Sequence, residues 1–302
     1  MTANIAQRHS LRQGNIEISY LEWVPAAAIS QSASASNFSQ TKQNVLLLHG
    51  LADCAVAWTS LGDYLAAQDD GEYHIVAPDL RGHGASSKPE TGYSSTDIIA
   101  DLSALMAHLG WNQAHILGHS WGGKLAAIWA TLNSEQFSSL ILVDPFYVNR
   151  LPSWLKITFP LLYQVLPFLQ GMGPFPSKDA AIKLAQNLKQ YRQWTPLQQQ
   201  VFHASIEPKP DGTWGSKFTI AARNQIFTDV MQQSGLIKSL PIPSLFIQPT
   251  KGLNRTRWQL KPFHRYLPNL TIKQVEGNHW VFLVNPESFN QEVVKFLSQQ
   301  TT

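Results

Sequence analysis

Five short apolar runs limit most tightly what this chain can fold into: "NVLLLHG" (44–50), "YHIVAPD" (73–79), "AHILGHS" (114–120), "LILVDP" (140–145) and "PSLFIQP" (243–249). A run of this length, apolar throughout rather than alternating and cut off by glycine, proline or aspartate, suits a strand buried on both faces of a parallel sheet. Between the runs lie helix-like segments at about 57–68, 95–109 and 121–132, so strand and helix alternate as in a wound α/β sheet. Upstream, "GNIEISYLEW" (14–23) alternates like a strand, and the Ser, Gln, Asn and Ala residues of 30–43 read as a long polar loop. No internal repeat is present.

The alternation lapses between Pro145 and about Leu240, then resumes with "IPSLFIQP", "LTIKQVEGNH" and a C-terminal helix near 286–299. The expected division is a core of 1–144 and 241–302 with a lid or cap, 145–240, over the C-terminal ends of the strands, where α/β folds bind ligands. The most apolar stretch, 154–175, contains Lys156, Pro160, Pro167 and Gly171 and makes a poor membrane span, so it reads as the lining of a pocket. Trp154, Phe159, Phe168 and Met172 are its candidate substrate-binding residues.

Composition excludes little but helps. The 302 residues are 44% hydrophobic, ample for a large core, and the 23 Lys and Arg against 20 Asp and Glu are spread without a basic block, which does not imply nucleic acid. A lone cysteine, Cys54, allows no internal disulfide and reads as a small buried hydrophobe. The N-terminus lacks the apolar run of a signal peptide, so a cytoplasmic location is expected. With no P-loop, no G-x-G-x-x-G after a strand and no H-E-x-x-H, neither a metal nor a nucleotide cofactor is expected.

Chemistry concentrates at "GHSWGG" (118–123). A serine hydroxyl is a weak nucleophile until a base takes its proton and fixed donors hold the developing oxyanion. Gly118 and Gly122 flank Ser120 at i−2 and i+2, which permits a sharp turn from the strand "HIL" into the helical "KLAAIWATL". Such a turn exposes the serine hydroxyl and puts the peptide N–H of Trp121 at the positive end of a helix. In "LLLHGLAD", the loop after His49 and Gly50 can present the N–H of Leu51 as a second donor. In "VEGNHW", His279 follows the last strand-like run, on the same sheet edge as Ser120.

Taken in order, "HG", "APDLRGHGASSKP", "GHSWGG", "LVDP" and "GNHW" resemble the α/β-hydrolase superfamily over nearly the whole chain. The resemblance implies an α/β-hydrolase fold: a mostly parallel eight-stranded sheet flanked by helices, with a mainly helical cap after strand six. It further implies Ser120 as nucleophile, His279 as base and acid, Leu51 and Trp121 as oxyanion donors, and "RGHG" (81–84) as a structural loop. Haloalkane dehalogenases and epoxide hydrolases share these frame motifs but use aspartate where this chain has Ser120.

The third member of a triad orients the histidine. In most of the superfamily it follows strand seven, but here that place reads "LFIQPTKGLNRTRW", and no Asp or Glu occurs between Gly235 and Glu276. Gly252 falls where the acid would be. Asp144, at the end of strand six, is the preferred acid; Asn254, or no acid at all, is the alternative. Asp53 reads as a cap of the helix after it.

These features predict a serine hydrolase, carboxylesterase- or lipase-like, that needs no cofactor and cleaves a small hydrophobic ester. Two alternatives stay open. One is a carbon–carbon bond hydrolase or aminopeptidase, with Glu207 as the candidate grip for a free amino terminus; the other is a binding module that kept the pocket and lost the chemistry.

Overall fold

The computed structural model describes residues 6–23, 43–68, 73–150 and 172–300. Its strands are β1 (Gln7–Gln13), β2 (Ile16–Trp23), β3 (Gln43–Leu48), β4 (Tyr73–Pro78), β5 (Ala114–His119), β6 (Phe137–Val143), β7 (Ile206–Pro208), β8 (Trp214–Ser216), β9 (Ser244–Lys251) and β10 (Leu270–Asn278). The helices are α1 (Thr59–Ala66), α2 (Ser95–His108), α3 (Trp121–Leu132), α4 (Lys178–Ala185), α5 (Pro196–Ser205), α6 (Ile220–Gln232), α7 (Arg257–Tyr266), α8 (Val281–Val284) and α9 (Pro286–Leu297).

Eight strands form one sheet in the order β1-β2-β4-β3-β5-β6-β9-β10, antiparallel only where β2 meets β1 and β4. The five apolar runs are its centre. Successive side chains of a strand face opposite ways, so each run feeds two cores. Leu46, Leu48, Ile116, Leu140, Leu142 and Phe246 face α2, α3 and α6, whereas Val45, Leu47, Leu117, Ile141, Leu245 and Ile247 face α1, α5 and α9. The eight-stranded, mostly parallel α/β-hydrolase sheet predicted from the sequence is present.

Local signals set several ends. Ser94 and Asp97 form a capping box at the start of α2, and Thr256 and Gln259 form another at the start of α7. Helix α3 has no side-chain cap although its N-cap position is Ser120, whose φ of 53° departs from the extended backbone of a capping residue. Residues 172–240 add no strand to the main sheet; they form α4, α5, the β7–β8 hairpin around "DGTWGS" (211–216) and α6. Most of the apolar stretch 154–175, with Trp154, Phe159 and Phe168, lies outside the described residues.

Candidate active site

Ser120 has φ 53° and ψ −116°, a backbone conformation that costs energy for a residue with a side chain. Its surroundings hold it there. The Ser120 N–H donates to Val143 O at 3.0 Å, and Ser120 O accepts from the N–H groups of Lys124 and Phe146 at 3.1 and 2.8 Å. The flanking glycines are required by contact: a Cβ at Gly118 would lie 2.4 Å from Gly122 O, and one at Gly122 would lie 2.4 Å from His49 O. The tight turn therefore packs backbone on backbone, and Ser120 projects at the start of α3.

Asp144 follows β6, itself at positive φ, and is fully buried. Its Oδ2 meets His279 Nδ1 at 2.6 Å and accepts from the Leu253 N–H at 2.7 Å; its Oδ1 accepts from the Asn254 N–H and Asn254 Nδ2, both at 3.1 Å. Burial alone would raise this carboxyl, but the hydrogen bond and charge of His279 and the two peptide donors outweigh it and hold the group below its ordinary value. Gly252 is what makes room, since a Cβ there would stand 2.6 Å from Asp144 Oδ2. Asn254, considered as a substitute acid, does something else: it steadies Asp144 and also donates to Pro145 O at 2.7 Å.

The loop after β3 closes the other side. His49 is buried and neutral in character: it accepts the Leu80 N–H at Nε2 and so donates from Nδ1 to Gly50 O, while burial lowers its pKa. Leu51 and Trp121 line one cavity together with Ser120 and His279. The Trp121 N–H belongs to the first turn of α3, where no helical carbonyl can take it, so it is free to face a ligand.

Asp53 does not cap the next helix. The N–H of Ala55, which opens that turn, is bonded instead by Asp79 Oδ1 at 2.7 Å, and Asp53 turns into the site. Burial pushes its carboxyl up to about 7, against a hydrogen bond from Trp280. Its Oδ2 is unpartnered and lies 3.8 Å from the equally unpartnered Nδ1 of His119. The other nitrogen of His119 donates to His279 O at 3.0 Å, and the two imidazoles pack with centroids 4.6 Å apart. His119 thus ties the residue before the serine to the histidine loop, a role that a variable position inside a motif does not announce.

The cavity has a volume of about 560 Å³. Its apolar wall includes Phe146 and, from α6, Ile226, Phe227, Val230 and Met231. That i, i+1, i+4, i+5 pattern in "IFTDVM" was readable as one helical face. Met172 lines an adjoining cavity of about 30 Å³ beside Asp53 and Tyr191, which shares Leu51, Leu188, Gln190 and Trp280 with the main one. Glu207 is paired with Lys209 Nζ at 2.6 Å in the hairpin and does not line the main cavity. Cys54 is buried, and burial raises its thiol far from reactivity.

Among the described residues no group of three or more His, Cys, Asp or Glu is placed to hold a metal ion, and no helix is long and apolar enough to cross a membrane. A serine at a strained turn, a histidine hydrogen-bonded to a buried carboxylate and an unused helix N-terminal N–H can together support nucleophilic acyl transfer.

The α/β-hydrolase-fold family model matches residues 43–286. A soluble epoxide hydrolase from Corynebacterium sp. (strain C12) is 35% identical over 100 residues, 33% of this chain and 34% of that protein. The chain spans about a third of the length of the epoxide hydrolases it matches. A serine hydrolase-like protein from Danio rerio is 24% identical over 273 residues, covering 85% of this chain and 82% of its own. Among solved structures, E-2-(acetamidomethylene)succinate hydrolase superposes with a TM-score of 0.75 at 19% identity, over 97% of this chain and 100% of that one.

Proposed function

The chain belongs to the α/β-hydrolase fold family, and from that premise we propose that it is a serine hydrolase cleaving a carboxylic ester with an apolar acyl or alcohol part. His279 takes the proton of Ser120 as Oγ attacks the ester carbonyl, and the peptide N–H groups of Leu51 and Trp121 hold the oxyanion. His279 then gives that proton to the departing alcohol, leaving an acyl group on Ser120. Water, deprotonated by the same imidazole, releases the acid and restores the serine. Asp144 keeps Nδ1 protonated and stabilises the imidazolium formed in each half. In this reading residues 145–240 are a lid whose helix α6 lines the acyl site, and 1–144 with 241–302 are the catalytic core.

One observation carries the reading: the 2.6 Å contact between His279 and a buried Asp144, set beside a serine at positive φ. The peptidase alternative loses its support because Glu207 is engaged elsewhere. The test is hydrolysis of p-nitrophenyl acetate, butyrate and octanoate by the wild type, Ser120→Ala and Asp144→Asn, with fluorophosphonate labelling. Turnover abolished by Ser120→Ala and lowered about 10⁴-fold by Asp144→Asn is expected. A wild type that neither turns over any ester nor labels at Ser120 would refute the reading and favour a binding module.

A further inference from the structure

Basic residues that look dispersed along the chain are not dispersed in its last third. From 230 to 275 there are seven Lys and Arg and no Asp or Glu, while the rest of the chain carries more acids than bases. The structure places four of the seven, Arg255, Arg257, Lys261 and Arg265, on the loop and helix that lead away from the cavity. Lys251, Leu253 and Arg255 line the cavity, and α7 begins at Arg257. All four cations are exposed, and none takes part in a salt bridge among the described residues; Lys251 stands 3.9 Å from Glu276.

Helix α7 is sided. At 3.6 residues per turn, His264, Arg257, Lys261, Arg265 and Trp258 fall within an arc of about 120°. Phe263 points the other way and packs on Phe246 of β9 with ring centroids 4.8 Å apart. Trp258 is 67% exposed and Leu253 46%. The indole of Trp258 stacks on Tyr147 at 6.0 Å, next in sequence to the cavity residue Phe146. A face that only needed solvation would not present an indole to water among cations that form no salt bridge among the described residues. That combination fits a lipid headgroup layer, where Arg and Lys meet phosphates and Trp settles at the acyl boundary.

We propose that the face of α7, with Leu253 and Arg255, docks this protein on an anionic phospholipid bilayer and turns the cavity mouth toward the lipid. The docking stands on the surface alone. That its substrates are esters partitioned in the membrane rests on the ester hydrolase reading above. An acidic protein would satisfy the cations but leave Trp258 and Leu253 without a purpose, so the bilayer is the better fit.

The experiment is co-sedimentation of the full chain with vesicles of phosphatidylcholine alone and of phosphatidylcholine with roughly one third phosphatidylglycerol, at low and high salt. Wild type and Ser120→Ala are both expected to bind the anionic vesicles, to bind pure phosphatidylcholine far less and to dissociate at high salt. Ser120→Ala separates docking from catalysis, because it should bind fully whether or not the ester reading holds. Arg257→Gln/Lys261→Gln/Arg265→Gln should lower the partition coefficient about 100-fold, and Trp258→Ala should lower it severalfold. Both variants should keep wild-type circular dichroism and p-nitrophenyl butyrate turnover. No sedimentation with anionic vesicles, or equal binding of wild type and the triple variant, overturns the proposal. Binding that obeys the charge change but ignores Trp258→Ala also overturns it, and marks a site for an acidic protein instead.

Discussion

A Cβ at position 252 would stand 2.6 Å from Asp144 Oδ2, so the two positions compete for one space at the back of His279. This reciprocity predicts more than loss on mutation. Asp144→Ala should cut ester turnover roughly 10³- to 10⁴-fold, because His279 loses its orienting charge. Adding Gly252→Asp to that variant should recover more than about tenfold, since the new carboxylate grows into the vacated volume. Steady-state kinetics decide it, and a double variant no better than the single would mean that the loop after β9 cannot present an acid. Ser120, His279 and Asp144 were legible in the sequence because glycine spacing and strand ends are local signals. Asp53 was not, because its carboxyl is pushed to about 7 only by burial that the three-dimensional fold creates. Below about pH 4 this group is protonated folded or unfolded and costs nothing; as pH rises to 7 only the unfolded chain ionises, and folding loses at most about 4 kcal/mol. Asp53→Asn, which keeps an acceptor for Trp280, should therefore raise Tm more at about pH 8 than at about pH 5. An equal gain at both would place the cost elsewhere.

Helix α3 carries the serine at one end and, one turn on, Lys124, which is fully buried and joins the core to α6. Its Nζ donates to Val230 O of α6 and to Asn149 O, the latter at 3.2 Å. Burial pushes the ammonium down to about 7, with the charge of Asp229 acting the other way. Between about pH 7 and its ordinary value of 10.5 the unfolded chain then holds a proton that the folded chain has released. Stability from this group consequently rises with pH across that window, by up to about 1.4 kcal/mol per unit. Denaturant titrations should show this slope in the wild type and its loss in Lys124→Met, with the deficit of the variant widening from about pH 7 to pH 10. Parallel slopes would refute the buried, neutral lysine. The strands around α3 were readable because doubly buried strands must be apolar throughout. The link through Lys124 was not, because a lysine in "GGKLAAIWA" looks like an ordinary helical surface residue until α6 covers it.

At the scale of the whole molecule, the sheet fixes one wall of the cavity and residues after 172 fix the other. The sequence placed the apolar lining in 154–175, of which residues 154–171 lie outside the described residues; among the described ones α6 adds Ile226, Phe227, Val230 and Met231 to the wall, and Met172 borders a small adjoining cavity. Apolar content marks what wants burial, and only packing decides which cavity it borders. A space of about 560 Å³ walled by Phe146, Ile226, Phe227, Val230 and Met231 should reward each added methylene of an acyl chain. At roughly 0.8 kcal/mol per buried CH₂, kcat/KM on p-nitrophenyl esters should climb about fourfold per methylene from acetate onward, then level off where the chain outgrows the wall. Ile226→Trp fills part of that space, so its plateau should come at a shorter chain while acetate turnover stays near wild type. A flat series in the wild type would mean that the acyl group does not enter this cavity, and the alcohol part of the ester would then be what the α6 wall binds.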